Sequence, residues 1–180
     1  MIPTVICDLD GVIADFNGYV QQMIGPPVDP HAYLGSERWP GKEAEFESIL
    51  HDPNTYSKLL PVRGAKKGID RLANIYPNIV YVTARDYGNK SEMVEQTSKW
   101  LSDWNFQSFP LYVTGVDEKA ALIQSLIGNK RNGFAIDDSP YQIMSLANRG
   151  LSVIIFTQPW NEHLIGIRMR WFDEPTMGDF

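Results

Sequence analysis

Two aspartates follow an apolar run near the start of the chain, in the stretch VICDLDGVIADF at residues 5–16. Asp8 and Asp10 are two positions apart, and alternate residues of an extended strand point to the same side. One such carboxylate can attack phosphorus as a nucleophile, while the other transfers a proton to and from the leaving oxygen. Gly11 permits a tight turn just beyond the pair. The spacing is therefore suited to chemistry on a phosphate ester, although a strand can also simply end in solvated aspartates.

Alternating strand and helix patterns indicate what would position these carboxylates. Strand-like runs lie at 4–10, 78–84, 134–138 and 152–157, with a weaker one at 110–115. Apolar periodicity predicts helices over 90–104, 118–127 and 140–148. Nearly continuous apolar strands that alternate with helices are typical of a parallel sheet covered on both faces. The pattern therefore predicts an α/β fold with a Rossmann-like, doubly wound parallel sheet.

The segment from Ala14 to about Gly64 interrupts this alternation because it contains no clear strand. It predicts two or three helices joined by proline-rich turns, and KEAEFESIL is the clearest of them. A segment of this length is not a simple crossover, so we expect a small helical cap inserted after the first strand. The predicted division is a core of residues 1–13 and 65–180 with a cap of residues 14–64.

The tail at 158–180 has no clear pattern of its own. Its aromatic residues Trp160, Trp171 and Phe172 predict that the tail packs back onto the body of the protein.

Several polar residues follow the predicted strands, where ligands of such sheets bind. They are Asp8 and Asp10, Thr83 and Arg85, Lys119, and the pair Asp137 and Asp138. Two like charges about 4 Å apart repel by roughly 4 kcal/mol at an effective dielectric constant near 20. Carboxylates gathered at this edge therefore indicate a bound cation. Oxygen ligands favour Mg²⁺, and the lack of His or Cys clusters disfavours zinc. A threonine hydroxyl and a lysine ammonium would hold the phosphate oxygens.

The composition limits the classes of function. The chain has 180 residues, a net charge of −6 and one cysteine, Cys7, which we expect to be a buried and inert side chain. The negative charge argues against broad binding to nucleic acid or to anionic membranes. One cysteine forms no disulfide within the chain, and no apolar run is long enough to span a membrane. Strand-like sequence directly after Met1 is unlike a signal peptide, so these features together predict a cytoplasmic protein.

Four motifs of this sequence resemble those of the haloacid dehalogenase superfamily of phosphatases. They are CDLDGVIADF, VYVTAR, Lys119 and AIDDSP, which occur in the order of that superfamily and cover roughly residues 5 to 157. The resemblance implies that Asp8 is the nucleophile and Asp10 the general acid and base. It also implies that Thr83 and Lys119 contact the phosphate. An aspartate at position 10 favours a phosphatase, since the dehalogenase branch has no acid there.

The same resemblance implies a magnesium site formed by Asp8, Asp10, Asp137 and Asp138. In that arrangement Asp10 contributes its backbone carbonyl, Asp137 binds the ion directly, and Asp138 binds it directly or through water.

Softer similarities concern the substrate. DGVIADF, LPVRGA at 60–65, KWL in the helix after the second motif and PWN at 159–161 resemble the 5′(3′)-deoxyribonucleotidases. This implies a small-molecule substrate, a (deoxy)nucleoside monophosphate. TARDYGNK at 83–90 is instead similar to the phosphatase domain of polynucleotide kinase, where the arginine lies near the phosphate. Arg85 is therefore a candidate substrate contact, and a polynucleotide 3′-phosphatase is the alternative enzyme. A non-catalytic phosphate-binding module with this fold is the alternative from another class.

Ordinary structural roles compete with some of these assignments. Arg85 could form a surface ion pair with Asp86 or Glu92. Lys130, in the next loop, is a rival for the role of Lys119. In the last motif, Asp138 or Ser139 could cap the helix that begins at Pro140, which would leave Asp137 free to bind metal.

Aromatic residues are frequent in the predicted cap. They are Phe16, Tyr19, Trp39, Phe46 and Tyr56. Most are expected to form the core of the cap itself. A nucleobase nevertheless prefers an apolar, aromatic slot, and Phe16 is the best candidate to line it because it lies just past the catalytic loop.

Overall fold

A computed structural model describes residues 3–52, 54–85, 89–129 and 131–171. Within this part of the chain there is one sheet of six parallel strands, in the order β3-β2-β1-β4-β5-β6. The strands are β1 Thr4–Cys7, β2 Asn78–Thr83, β3 Leu111–Val113, β4 Gly133–Asp137, β5 Ser152–Phe156 and β6 Arg168–Met169. The predicted α/β fold with a Rossmann-like parallel sheet is confirmed.

Seven α-helices and one short 3₁₀-helix occur in the described residues. They are α1 Phe16–Ile24, α2 Gly35–Arg38, α3 Glu43–His51, α4 Ala65–Ile75, α5 Lys90–Asp103, α6 Lys119–Ile127 and α7 Pro140–Asn148, with the 3₁₀ turn at Pro159–Asn161. The three helices predicted between the strands correspond to α5, α6 and α7. Each of these helices is too short or too polar to cross a lipid bilayer.

Both faces of the sheet are buried, and β1 shows the alternation that this requires. Val5 and Cys7 point into a cluster with residues of α4 and α5, among them Ile69 and Trp100. Ile6 points to the opposite face, into a cluster with residues of α6 and α7. The near-continuous apolar sequence of β1 therefore reflects helices on both sides. Cys7 is fully buried and free, as predicted.

The first strand is shorter than the predicted run of residues 4–10 and ends at Cys7. The reason is a tight turn: the carbonyl oxygen of Leu9 accepts the amides of Val12, Ile13 and Ala14 at 3.2, 2.7 and 2.8 Å. These bonds fold the chain back immediately after the sheet. Asp8 and Asp10 therefore do not lie in one continuous strand, and their side chains have different neighbours.

The segment between Ala14 and Gly64 contains α1, α2 and α3, which pack around Val20, Trp39 and Ile49. Its two ends lie side by side, since the Asp15 amide donates to Leu60 O at 2.8 Å and the Val62 amide donates to Ile13 O at 2.7 Å. The division into a core and a cap at 14–64 stays a prediction.

The tail packs against the body through two of the three predicted aromatic residues. Trp160 is buried, and Trp171 packs against the core with its Nε1 donating to Val12 O at 2.6 Å. Phe172 lies outside the described residues. The tail also contributes β6, a strand that the sequence did not predict.

Candidate active site

The candidate site lies where the order of the strands changes direction along the chain. From β1 the sheet continues on one side to β2 and β3, and on the other to β4 and β5. Such switch points open a crevice beyond the carboxyl ends of the central strands. Asp8 follows β1, Thr83 ends β2 and Asp137 ends β4, and all three are buried. The topology thus brings together residues that are far apart in sequence.

Three carboxylates and one ammonium form the centre of the site. Asp8, Asp137 and Asp138 each offer a carboxylate oxygen, and these oxygens lie within 4.8 Å of one another. Lys119, the first residue of α6, is 2% exposed. Its Nζ lies 2.8 Å from Asp8 Oδ1 and 2.8 Å from Asp137 Oδ2. Lys119 therefore lies at the position expected of it, while its rival Lys130 lies outside the described residues.

Burial and the excess of negative charge together shift the pKa values of this group. Burial raises the pKa of Asp8 to about 7, and the charges of Asp137 and Asp10 add to this rise while Lys119 opposes it. Burial also raises the pKa of Asp138 well above its usual range, together with the charges of Asp8 and Asp137. Burial favours the neutral amine of Lys119, but Asp137 and Asp8 outweigh it and raise the pKa of the ammonium. One lysine therefore does not balance three buried acids.

The donor set fits a hard divalent cation. Asp137 Oδ2 is buried, and its ion-pair partner, the Lys119 ammonium 2.8 Å away, is shared with Asp8. Three buried carboxylates beside one ammonium favour a further positive partner, and all three offer the oxygen ligands that Mg²⁺ binds. Asp8, Asp137 and Asp138 could hold such an ion. The carboxylate of Asp10 is not part of this cluster, and the contact expected of its backbone carbonyl stays a prediction.

Asp10 is instead held by Arg85. The guanidinium donates from Nε to Asp10 Oδ2 and from Nη2 to Asp10 Oδ1, both at 2.7 Å, in a bidentate pair. Its Nη1 donates to Thr97 Oγ1 at 3.2 Å, and the group lies 4.6 Å from the centre of the Tyr56 ring. Thr83 Oγ1 also donates to Asp10 Oδ2, at 3.3 Å.

The proposed surface ion pair of Arg85 is wrong. The side chain has no exposed area, and its carboxylate partner is Asp10 rather than Glu92. The buried guanidinium of Arg85 contacts a carboxylate, a hydroxyl and an aromatic face, which together stabilise its charge. Asp86, the other suggested partner, lies outside the described residues. Whether Arg85 also contacts the substrate stays a prediction.

The 3₁₀ turn at Pro159–Asn161 supports the last acidic pair. Trp160 Nε1 donates to Asp138 Oδ2 at 3.0 Å. Asn161 Nδ2 donates to the backbone oxygens of Asp138 and Phe156, each at 2.8 Å. The stretch PWN was identified only by its similarity to the nucleotidases, and its contact with Asp138 was missed because nothing local in the sequence links the two. Ser139 caps α7, as suggested, by accepting from the Gln142 amide at 3.3 Å.

Gly11 is required by the close approach of two loops. Its φ is +78°, in the left-handed region that side chains rarely adopt. A Cβ at this position would lie 2.3 Å from Asp138 Oδ2. The glycine therefore permits the turn after Asp10 and also leaves room for the carboxylate of Asp138.

A cavity of about 310 Å³ opens above these groups. Its floor includes Asp8, Asp10, Thr83, Lys119 and Asp138, and its opposite wall comes from the segment 14–64, with Phe16, Tyr33, Arg38, Trp39, Phe46 and Tyr56. Phe16 stacks on Tyr56 with ring centres 6.1 Å apart and meets Phe46 edge-on at 6.4 Å. Trp39 and Tyr56 are buried, as expected of a cap core, yet they also line the cavity.

Two solved structures show a fold similar to that of this chain. A subfamily IA hydrolase of the haloacid dehalogenase superfamily from Geobacter sulfurreducens matches with a TM-score of 0.55 and 18% identity, over 93% of this chain and 91% of its own. A haloacid dehalogenase-like hydrolase from Streptococcus pneumoniae matches with a TM-score of 0.55 and 15% identity, over 87% and 85%. At these identities the likeness shows the fold.

Sequence comparison shows the family. A protein of Chlorobaculum tepidum that carries the provisional name 5′(3′)-deoxyribonucleotidase is 26% identical over an alignment of 175 residues, gaps included, and the match covers 89% of this chain and 82% of that protein. A family model described as "5′ nucleotidase, deoxy (pyrimidine), cytosolic type C protein" matches residues 1–176. The chain therefore belongs to this 5′-nucleotidase family within the haloacid dehalogenase superfamily, and it is a nucleotidase-like phosphomonoester hydrolase.

Proposed function

We propose that the protein is a Mg²⁺-dependent phosphatase that hydrolyses (deoxy)nucleoside monophosphates through an aspartyl-phosphate at Asp8. One observation carries the proposal: the carboxylates of Asp8 and Asp10 face one cavity whose opposite wall is aromatic. The carboxylates can react with the phosphate group of a nucleotide, and the aromatic wall can pack against its base. The family membership supports a nucleotide as the small-molecule partner. The cytosolic description of the family supports a cytoplasmic location.

In the first step an oxygen of Asp8 forms a bond to phosphorus as the bond to the leaving alkoxide breaks. Lys119, 2.8 Å from Asp8, holds the carboxylate and stabilises charge on the phosphate oxygens. Thr83 supplies a hydroxyl at the edge of the same cavity. Bound Mg²⁺, held by Asp8, Asp137, Asp138 and the Asp10 carbonyl, would shield these carboxylates from the negative phosphate.

Asp10 handles the protons in both halves of the reaction. It protonates the leaving alkoxide and then, as a carboxylate, takes a proton from the water that hydrolyses the aspartyl-phosphate. The bidentate pair with Arg85 fixes the direction of the Asp10 carboxyl group, so the main role of Arg85 is to position Asp10.

The test is a phosphatase screen with Mg²⁺ present over nucleoside monophosphates, sugar phosphates and a 3′-phosphorylated oligonucleotide. We expect the nucleoside monophosphates to be hydrolysed fastest. The matched control is Asp8→Asn, which keeps the shape of the side chain and should abolish turnover, including that of an aryl phosphate. Faster hydrolysis of the oligonucleotide would favour the 3′-phosphatase alternative. Mg²⁺ binding without hydrolysis of any substrate would favour a non-catalytic module.

A further inference from the structure

Arg38, the last residue of α2, is a buried cation in the wall of the cavity. It is 3% exposed, and its guanidinium lies between two indole rings, 4.9 Å from the centre of Trp39 and 4.6 Å from that of Trp160. Arginine stacked in this way is stabilised by the π faces on both sides. A guanidinium held against two ring faces can still offer the N–H groups at its edge to a ligand.

Most of those N–H groups have no acceptor among the described residues. A guanidinium has five N–H donors, and one of them, on Nη1, donates to Ala32 O at 3.3 Å. The buried Nε has no acceptor, and no carboxylate of the described residues lies within ion-pair distance of Arg38. Burial lowers the pKa of Arg38, and the carboxylates of Asp29 and Asp138 oppose this only at longer range. A buried charge with free donors requires an anionic partner.

Arg38 lies close to the acidic cluster but is separated from it by one side chain. The Trp160 ring stacks on Arg38, while its Nε1 donates to Asp138 Oδ2 at 3.0 Å. Arg38, Asp8 and Lys119 all line the same cavity of about 310 Å³, so a ligand with one phosphate at Asp8 and Lys119 can present a second anionic group to the guanidinium. Two phosphates on one ribose provide such a pair of groups. The aromatic residues Phe16 and Phe46 remain available for the base.

We propose that Arg38 binds a second anionic group of the substrate, the non-reacting phosphate of a nucleoside 3′,5′-bisphosphate. The proposal rests on the proposed function, because it assumes that the first phosphate is at Asp8. Only the ester bond at Asp8 is cleaved, and the phosphate on Arg38 leaves with the nucleoside monophosphate product. The planar fork of arginine matches phosphate oxygens in a way that lysine does not.

The kinetic test compares a nucleoside 3′,5′-bisphosphate with the matching 5′- and 3′-monophosphates. We expect the wild type to show a kcat/KM at least about tenfold higher for the bisphosphate, since the free energy of a hydrogen bond to a charged group corresponds to a change of about that factor. Arg38→Met, which keeps an apolar stem between the two indoles, should reduce this ratio to near one. Arg149→Met is the control, because Arg149 is an exposed arginine that is not part of the cavity lining and donates a hydrogen bond to Gln124.

A binding measurement keeps the test independent of turnover. Calorimetry in the Asp8→Asn background should give tighter binding of the bisphosphate than of either monophosphate, and adding Arg38→Met should remove the difference. If the second variant does not fold, Arg38→Lys replaces it and should weaken bisphosphate binding. Equal affinity for mono- and bisphosphates would overturn the proposal for Arg38. A protein that hydrolyses no phosphate but still prefers the bisphosphate would refute the proposed function alone.

Discussion

At the scale of single residues, the two aspartates of the first motif have separate partners. Asp8 pairs with Lys119 at 2.8 Å, and Asp10 accepts two hydrogen bonds from Arg85 at 2.7 Å. Asp8 is buried beside two further acids, Asp137 and Asp138, whereas Asp10 is paired with one cation, Arg85. Different environments of this kind allow two carboxylates to do different work in one site.

Asp10→Asn removes the proton transfer and keeps the size of the side chain. We expect kcat to fall by about 10² to 10⁴, the usual contribution of a positioned acid or base. Because an activated leaving group needs little protonation, the loss should be smaller for p-nitrophenyl phosphate than for a nucleoside monophosphate. Steady-state rates on both substrates check this. An equal loss on both would contradict the proton-transfer role.

Gly11→Ala should disturb the acidic cluster without removing any of the proposed metal-binding or catalytic side chains. The new Cβ would meet Asp138 Oδ2 at 2.3 Å, at a backbone φ of +78° that alanine tolerates poorly. We expect weaker Mg²⁺ binding by calorimetry and lower thermal stability. Gly150→Ala is the matched control, since its φ is +72° with nothing within 4 Å. If both variants bind Mg²⁺ equally, the steric argument fails.

At the scale of elements, the tail turn Pro159–Asn161 connects the carboxyl ends of several strands. Asn161 bridges β5 to the residue after β4, and Gln158 Nε2 donates to Gly11 O at 2.6 Å. The turn and Gln158, the residue before it, therefore fix the position of Asp138 relative to the loop that carries Asp10. Partners of this kind fix the direction of groups that bind metal.

Trp160→Phe deletes the N–H that bonds Asp138 and keeps most of the aromatic volume. We expect Mg²⁺ affinity to fall by about 10- to 100-fold, the usual cost of losing such a partner. At saturating Mg²⁺ most of kcat should return, because the proposed catalytic residues are untouched. Titration of activity and of binding against Mg²⁺ checks both points. A lower kcat with unchanged Mg²⁺ affinity would assign Trp160 another role.

Elements with a strong periodic pattern were predictable from the sequence, and elements defined by distant partners were not. The helices at 90–104, 118–127 and 140–148 were predicted nearly to their ends. β6 has two residues and exists because Ile155 and Phe156 offer an edge to it. β1 ends where three amides donate to Leu9 O and form a tight turn. The apolar residues of this stretch give no sign of that turn in the sequence.

The same contrast applies to the site. The order of the motifs was sufficient to predict which residues gather at Asp8, because a parallel sheet brings its strand ends together. The pairing of Asp10 with Arg85 was missed, since 75 positions separate the partners and no local pattern joins them. The place of Arg38 in the cavity wall and the hydrogen bond from Trp160 to Asp138 were missed for the same reason.

At the scale of the whole molecule, the acidic cluster should make stability depend on pH. The pKa of Asp8 rises from its ordinary 3.8 to about 7 on folding. Between these values the folded chain holds a proton that the unfolded chain releases, so stability falls as the pH rises through this window. Asp138, whose pKa is also raised, acts in the same direction.

Thermal unfolding in EDTA from about pH 4 to about pH 8 tests this dependence. Asp8→Asn should become more stable relative to the wild type as the pH rises, by a few kcal/mol at neutral pH. Added Mg²⁺ should restore much of the wild-type stability, because the ion balances the carboxylates. If the stability of the two proteins changes with pH in the same way, the prediction is contradicted, because the ionisation of Asp8 would then not destabilise the folded chain.

The neighbouring ends of the segment 14–64 have a consequence for how such proteins diversify. The Asp15 amide donates to Leu60 O and the Val62 amide donates to Ile13 O, so the two ends of the segment lie next to each other. An insertion attached in this way can be exchanged between relatives as a single module without altering the strand ends. Transplanting residues 14–64 from a relative should therefore transfer substrate preference while the host keeps its hydrolytic machinery.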